Sequence, residues 1–163
     1  MRTPPLKVRR WSRAEYDRLI ARGVLDTDDR IELLDGLMVV KEPQGSWHAG
    51  VVAHITSVLQ RAFGERYSVR AHSPIALDDR SEPEPDLAVV TGRAKDYLRA
   101  HPASPVLVVE VADSSLAKDR LRKGGLYARG EPPLRLEVRK RAPPEEERRR
   151  LAARRARRAH PRR

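Results

Sequence analysis

Two hydrophobic periods alternate along this chain, and the switches between them mark its elements. Trp11-Ser12-Arg13-Ala14-Glu15-Tyr16 opens a short helix, with Ser12 as cap and Glu15 three residues on, the capping-box pattern. Gly23 ends it. Arg30-Ile31-Glu32-Leu33-Leu34 and Leu37-Met38-Val39-Val40 flank Asp35-Gly36, a pair that tolerates the positive φ angles of a tight hairpin turn. Val51, Val52, Ile55, Val58, Leu59 and Ala62 then recur at helical spacing. They predict the longest helix, over Trp47 to Phe63, stopped by Gly64. Tyr67 to Leu77 reads as one or two strands, and Asp78 to Pro85 as an acidic, proline-bearing loop.

Two short carboxylate-bearing segments follow: Glu84-Pro85-Asp86-Leu87-Ala88-Val89-Val90 and Val106-Leu107-Val108-Val109-Glu110-Val111-Ala112. Their apolar, β-branched runs predict buried strands. Residues 94–105 between them predict a helical turn around Asp96 to Ala100. In the second strand Val108, Glu110 and Ala112 share one face, and Leu107, Val109 and Val111 the other. Both faces are apolar apart from Glu110, as expected where a strand is covered on both sides. Ser114-Ser115 then predicts the cap of a helix from Leu116 to about Ala128. Leu134 to Val138 alternates like a last strand, and Pro143-Pro144-Glu145-Glu146-Glu147 starts a helix with almost no apolar face. This order predicts an α/β or α+β mixed sheet flanked by helices.

Composition narrows the chemistry. With 163 residues the chain can bury one sizeable core. It has no cysteine, so thiolate metal sites and disulfides are excluded and Asp, Glu and His are left as strong metal ligands. No apolar stretch approaches the roughly 20 residues of a membrane span, and no signal-type segment opens the chain, so a soluble cytoplasmic protein is the expectation. The net charge of +11 suggests nucleic acid, but it is unevenly placed. Residues 139–163 hold 12 Lys+Arg and 3 Glu, which leaves 22 basic and 20 acidic residues in the rest. The body is nearly neutral.

A charge seldom sits unpaired in a buried strand, because desolvation disfavours it. Asp86 and Glu110 therefore need a partner, and a shared divalent cation is one: Mg²⁺ takes oxygen ligands, often one or two carboxylates with water and phosphate. An exposed strand end for Asp86 and a buried ion pair for Glu110 are the structural alternatives. Glu32 is a third acid next to a strand, and its alternation also fits a solvent-facing position. His48 lies three and four residues before Val51 and Val52, which points it at the apolar stripe. Lys123 has Asp119 at i−4 and Tyr127 at i+4, so a solvated Asp119–Lys123 pair competes with a catalytic role.

In order along the chain, Trp11-x₄-Tyr16, Arg30-Ile31-Glu32-Leu33-Leu34-Asp35-Gly36, Ser46-x-His48, Ser81-Glu82-Pro83-Glu84-Pro85-Asp86, Val109-Glu110-Val111-x-x-Ser114-Ser115 and Asp119-x₃-Lys123-x₃-Tyr127-Ala128 resemble the Uma2 family, formerly DUF820, of the PD-(D/E)xK nuclease superfamily. The resemblance covers about Trp11 to Ala128. It implies a restriction-endonuclease-like core, and DNA as the substrate of phosphodiester hydrolysis that depends on Mg²⁺ (or Mn²⁺). Asp86 and Glu110 would match the two motif acids and, with Glu32 as third acid, hold the metal. Ala112 stands where the motif lysine is usual, and Lys123 on the next helix would substitute. His48 would lie at the site's edge.

After Ala128 the pattern departs. Gly130-Glu131-Pro132-Pro133 leads into an Arg/Pro/Ala/Glu stretch without aromatic residues, where the resemblance implies a strand bearing them. The expectation is a nuclease-like domain over residues 1–130 and an atypical basic extension over 131–163, of the kind a shifted reading frame in a GC-rich gene would yield. A sheet missing its last strands would expose an edge and favour a homodimer. The rival function is a non-catalytic nucleic-acid-binding or assembly protein on a degenerate nuclease core, with the arginine-rich tail on phosphates.

Overall fold

The computed structural model describes residues 8–41, 43–112 and 134–140. Its first helix, α1 (Arg13–Ala21), has the capping box read from the sequence: Glu15 N–H donates to Ser12 Oγ at 3.2 Å, and Ser12 N–H to Glu15 Oε2 at 2.9 Å. Tyr16 is its buried anchor and donates to the carbonyl of Ile31 at 2.7 Å.

That contact seats α1 on the hairpin of β1 (Ile31–Leu34) and β2 (Leu37–Val40), paired Ile31↔Val40 to Leu34↔Leu37. Asp35 and Gly36 take φ of 50° and 74°, the left-handed turn their residue types favour. Gly36 is also required sterically, since a Cβ there would lie 2.7 Å from Arg10 Cβ and 3.0 Å from the Trp11 carbonyl.

The long helix α2 (Ser46–Phe63) begins one residue before the predicted start and ends at Gly64. After it come β3 (Tyr67–Ala71), β4 (Leu87–Thr91), a 3₁₀ turn over Ala94–Tyr97, β5 (Leu107–Ala112) and β6 (Leu134–Arg139). These strands form one sheet in the order β3-β4-β5-β6, with β5 and β6 parallel and the other pairs antiparallel. The fold is thus the expected mixed α+β type, and β6 joins the sheet from the segment beyond Pro133.

The apolar stripe of α2 decides which face it covers. Val52 and Leu59 pack on Leu87, Val89, Leu107, Val109 and Val111. On the opposite face Ala88 and Val108 pack on Ile75, which is fully buried, as are Leu87, Val89, Val90 and Val109. Burying one such side chain contributes roughly 1.5–3 kcal/mol, so the β4–β5 pair is the stable frame on which other residues are placed. Residues 78–85 do not form a free loop. Glu82 N–H donates to Leu33 O at 2.8 Å and Gly36 N–H to Arg80 O at 2.7 Å, which staples this segment to the hairpin. Among the described residues, no helix is long and apolar enough to cross a membrane.

Candidate active site

Asp86 stands where β4 begins, and its two neighbouring strands treat it differently. On one side its carbonyl accepts from His72 N–H at 3.1 Å, which carries the β3–β4 ladder one step past Ala71↔Leu87. On the other side its carboxylate takes over the ladder: Oδ2 accepts from Val111 N–H at 2.7 Å. The register Leu87↔Val109, extended by one step, sets Asp86 opposite Glu110. Directly opposed residues in an antiparallel pair share a face and have Cβ atoms about 5 Å apart. By this continued register the two acids of the strand motifs fall opposite each other, and Glu110 is half-buried in an otherwise buried strand.

Asp86 is 7% exposed and surrounded by donors. His48, in the first turn of α2, brings Nε2 to 3.1 Å from Oδ2. Gln44 Nε2 donates to Oδ1 at 3.3 Å, and His72 Nδ1 stands 3.8 Å from Oδ1. The two imidazoles are stacked with centroids 6.1 Å apart. His48 does turn inward, as its place above the apolar stripe predicted, but it ends on a carboxylate, and its buried Nδ1 has no hydrogen-bond partner. Burial lowers the His72 pKa, against the raising effect of the Asp86 charge and with the help of Lys41.

Glu32 is not on a solvent face; it is 4% exposed. Its Oε2 accepts from Glu84 N–H at 3.0 Å, and Glu84 Oε1 meets Lys41 Nζ at 2.5 Å. Burial pushes the nearby Tyr16 phenol up to about 12, and the charges of Glu82, Glu32 and Glu84 add to it. Glu82 is buried too. Burial raises its pKa to about 7, reinforced by Asp17 and opposed by Arg13. His101 Nε2 lies 3.7 Å from Glu82 Oε1, and Oε2 has no partner.

Of the five residues expected from the sequence, Asp86 and His48 are in contact and Glu110 is opposite Asp86 in register. Glu32 is one backbone step removed, through Glu84. Lys123 lies outside the described residues, as does the predicted helix from Leu116. His72, Gln44 and Lys41 were not anticipated. Nothing in Arg70-Ala71-His72-Ser73 marks His72, whose place follows from strand register alone; its φ of 45° does not show in its residue type.

Among the described residues no three His, Asp or Glu side chains gather closely enough to hold a metal by themselves. A hard cation does not need three. Mg²⁺ is commonly held by one or two carboxylates, with water and phosphate completing its shell. Asp86 Oδ2 has two close donors, whereas Oδ1 has only the longer contacts to Gln44 and His72. A carboxylate offers about four acceptor sites, so Oδ1 keeps capacity for a cation, and Glu110, opposite in register, would supply a second carboxylate. The donor set fits a hard divalent ion.

Comparison with known proteins bears on the fold and the family. The family model of Uma2, described as "Putative restriction endonuclease", matches residues 13–142. Among solved structures, the chain is similar to one described as a "putative nuclease belonging to DUF820" from Anabaena variabilis ATCC 29413, with a TM-score of 0.55 and 15% identity. The match covers 70% of this chain and spans 65% of that one. No curated protein matches the chain.

Proposed function

The chain belongs to the Uma2 family, and from that premise we propose that it is a metal-dependent endonuclease hydrolysing phosphodiester bonds in DNA. Asp86 and Glu110 would hold Mg²⁺, or Mn²⁺ in its place, and Glu32, the third acid, stands one backbone step away, on Glu84 N–H. The observation that carries this reading is the buried Asp86 carboxylate held by Val111 N–H beside Glu110 of β5, which the Leu87↔Val109 register, continued by one residue, sets against Asp86. Bound there, the cation would polarise a phosphoryl oxygen and lower the pKa of its water.

The chain's own residues do the positioning. Val111 N–H and His48 fix the rotamer of Asp86 through Oδ2 and leave Oδ1 turned to Gln44 and His72. Glu32, through Glu84 N–H, sets the approach of the Pro83-Glu84-Pro85 segment to the hairpin. Lys123, outside the described residues, would by the family resemblance stabilise the developing negative charge on the phosphate. Cleavage of both DNA strands by chains with one site each would suit a homodimer, which light scattering after gel filtration tests.

Incubation of supercoiled plasmid with Mg²⁺ or Mn²⁺, against a chelator control, is the direct experiment. Nicking or linearisation that needs the metal and is lost in both Asp86→Ala and Glu110→Ala supports the reading. Metal-independent cleavage, or cleavage that survives both substitutions, overturns it. The 12 basic residues of 139–163 favour a second reading, a binder of nucleic-acid phosphates. Steeply salt-dependent binding that vanishes on deletion of 141–163, with no cleavage by the full chain, would support it.

A further inference from the structure

Lys41 is the unclaimed charge at this site. It follows β2 directly, and its N–H donates to Arg30 O at 2.7 Å, so the hairpin pairing runs one step past Ile31↔Val40. Strand alternation then puts Glu32, Val39 and Lys41 on one face of the hairpin. That face meets Glu84: Glu32 takes its N–H, and the Lys41 ammonium takes its carboxylate. The Lys41 side chain is only 12% exposed. Its charge is also among those that lower the His72 pKa, and His72 stands 3.8 Å from Asp86 Oδ1. Lys41 is therefore held within the acidic cluster. Lys140, by contrast, places its ammonium 5.3 Å from the Trp47 ring centroid.

A phosphodiester anion approaching Glu32, Glu84, Asp86 and Glu110 meets repulsion unless a cation faces it. We infer that Lys41 is a phosphate-binding residue of the Asp86 site, its ammonium shared between Glu84 and one backbone oxygen of a bound nucleic acid. This inference rests on the nuclease reading for the substrate class and on the hairpin geometry for the residue. Lysine suits the role because a compact ammonium with three donors can keep one partner and take another. The pair with Glu84 holds the charge at the site in the absence of nucleic acid. Glu84 thus both positions Lys41 and competes for it.

The competition makes the test specific. The full chain is titrated with a labelled DNA duplex in chelator, where no metal-dependent cleavage intervenes, at several salt concentrations. Lys41→Met is expected to flatten the slope of log affinity against log salt by about 0.9, one phosphate contact, and to weaken binding about fivefold at 0.1 M salt. Glu84→Gln, which frees the ammonium, is expected to keep the slope and bind at least as tightly as the parent. A purely structural ion pair predicts the same change for both variants, and that outcome overturns the inference. Wild-type slope in Lys41→Met, or no binding by the parent chain, overturns it too. If Lys41→Met fails to fold, the double variant Lys41→Met with Glu84→Gln removes the pair as a unit and must show the flattened slope. The same proteins are assayed for plasmid cleavage with Mg²⁺. A parent that binds through Lys41 but never cleaves sinks the nuclease reading alone, whereas cleavage by a Lys41→Met protein of parental slope sinks the Lys41 inference alone.

Discussion

Asp86 and Glu82 lie four residues apart on one segment and are both buried carboxyl groups, yet they sit in opposite surroundings. Asp86 is met by a backbone N–H, an amide and two imidazoles. Glu82 has His101 at 3.7 Å and an oxygen with no partner, and burial raises its pKa to about 7. Charge-assisted donors orient a carboxylate, whereas burial, with the Asp17 charge nearby, favours the neutral acid of Glu82. The same chemical group thus serves as an oriented ligand at one end of the segment. At the other it is a structural acid at the seam where Glu82 N–H bridges to Leu33 of β1.

The largest effect that follows is on cleavage. Asp86→Ala should lower Mg²⁺-supported plasmid cleavage by about 10³-fold or more, as loss of a group acting on the reacting centre does. Glu82→Gln should leave cleavage within about threefold. Equal losses in the two variants would dissolve the distinction between them. Next in size is His48→Ala. It removes a donor 3.1 Å from a buried carboxylate oxygen and opens space under α2, so it should cost about 2 kcal/mol in urea unfolding. A cost below about 0.5 kcal/mol would mean that Val111 N–H alone satisfies Oδ2.

Glu82 sharpens the comparison through pH. Its pKa is raised in the folded state from 4.5 to about 7, so the neutral acid is the form that the fold prefers. The stability this group contributes is fully present below about pH 4.5 and is lost as pH rises through about 7. Glu82→Gln mimics the neutral acid and should flatten this part of the profile. At pH 8 its Tm should exceed the parent's by about 4 °C, with little difference at pH 4.5. A variant less stable than the parent at pH 8 would show that Glu82 is held ionised by Arg13 instead.

The fold was largely legible in the residues because its signals are local. The Ser12 capping box, the Asp35-Gly36 turn, the α2 stripe and the alternation around Glu110 each state one element within a dozen positions, and each is present. The predicted turn over Asp96 to Ala100 formed earlier, at Ala94–Tyr97, as short 3₁₀ segments carry weak periodicity. The site was legible only as far as its acids lie in strands. Asp86 and Glu110 could be named from their apolar flanks, while their opposition required the register. Glu32 read equally well as solvent-facing, since nothing in β1 shows that residues 80–84 fold back over it. Gln44, Lys41 and His72 come from a loop and two strand ends whose sequence carries no pattern, and long-range pairing alone brings Gln44 and His72 to Asp86 and Lys41 to Glu84.

The smallest predicted effect separates the two imidazoles at Asp86. His48 is 8% exposed and within hydrogen-bond distance of Oδ2, whereas the His72 side chain is 35% exposed and 3.8 Å from Oδ1, beyond a hydrogen bond. A partly solvated pair at that separation is worth little, about 0–1 kcal/mol. His72 also takes φ 45°, a conformation that asparagine and glycine accept more readily than other residues. His72→Ala should therefore cost less than about 1 kcal/mol, and His72→Gly should cost no more than His72→Ala because relief of the left-handed strain offsets the lost ring. Urea unfolding of His48→Ala, His72→Ala and His72→Gly side by side checks the order. If His72→Ala destabilises as much as His48→Ala, then His72 anchors Asp86 as firmly as His48, and Oδ1 is no freer than Oδ2 to take a cation.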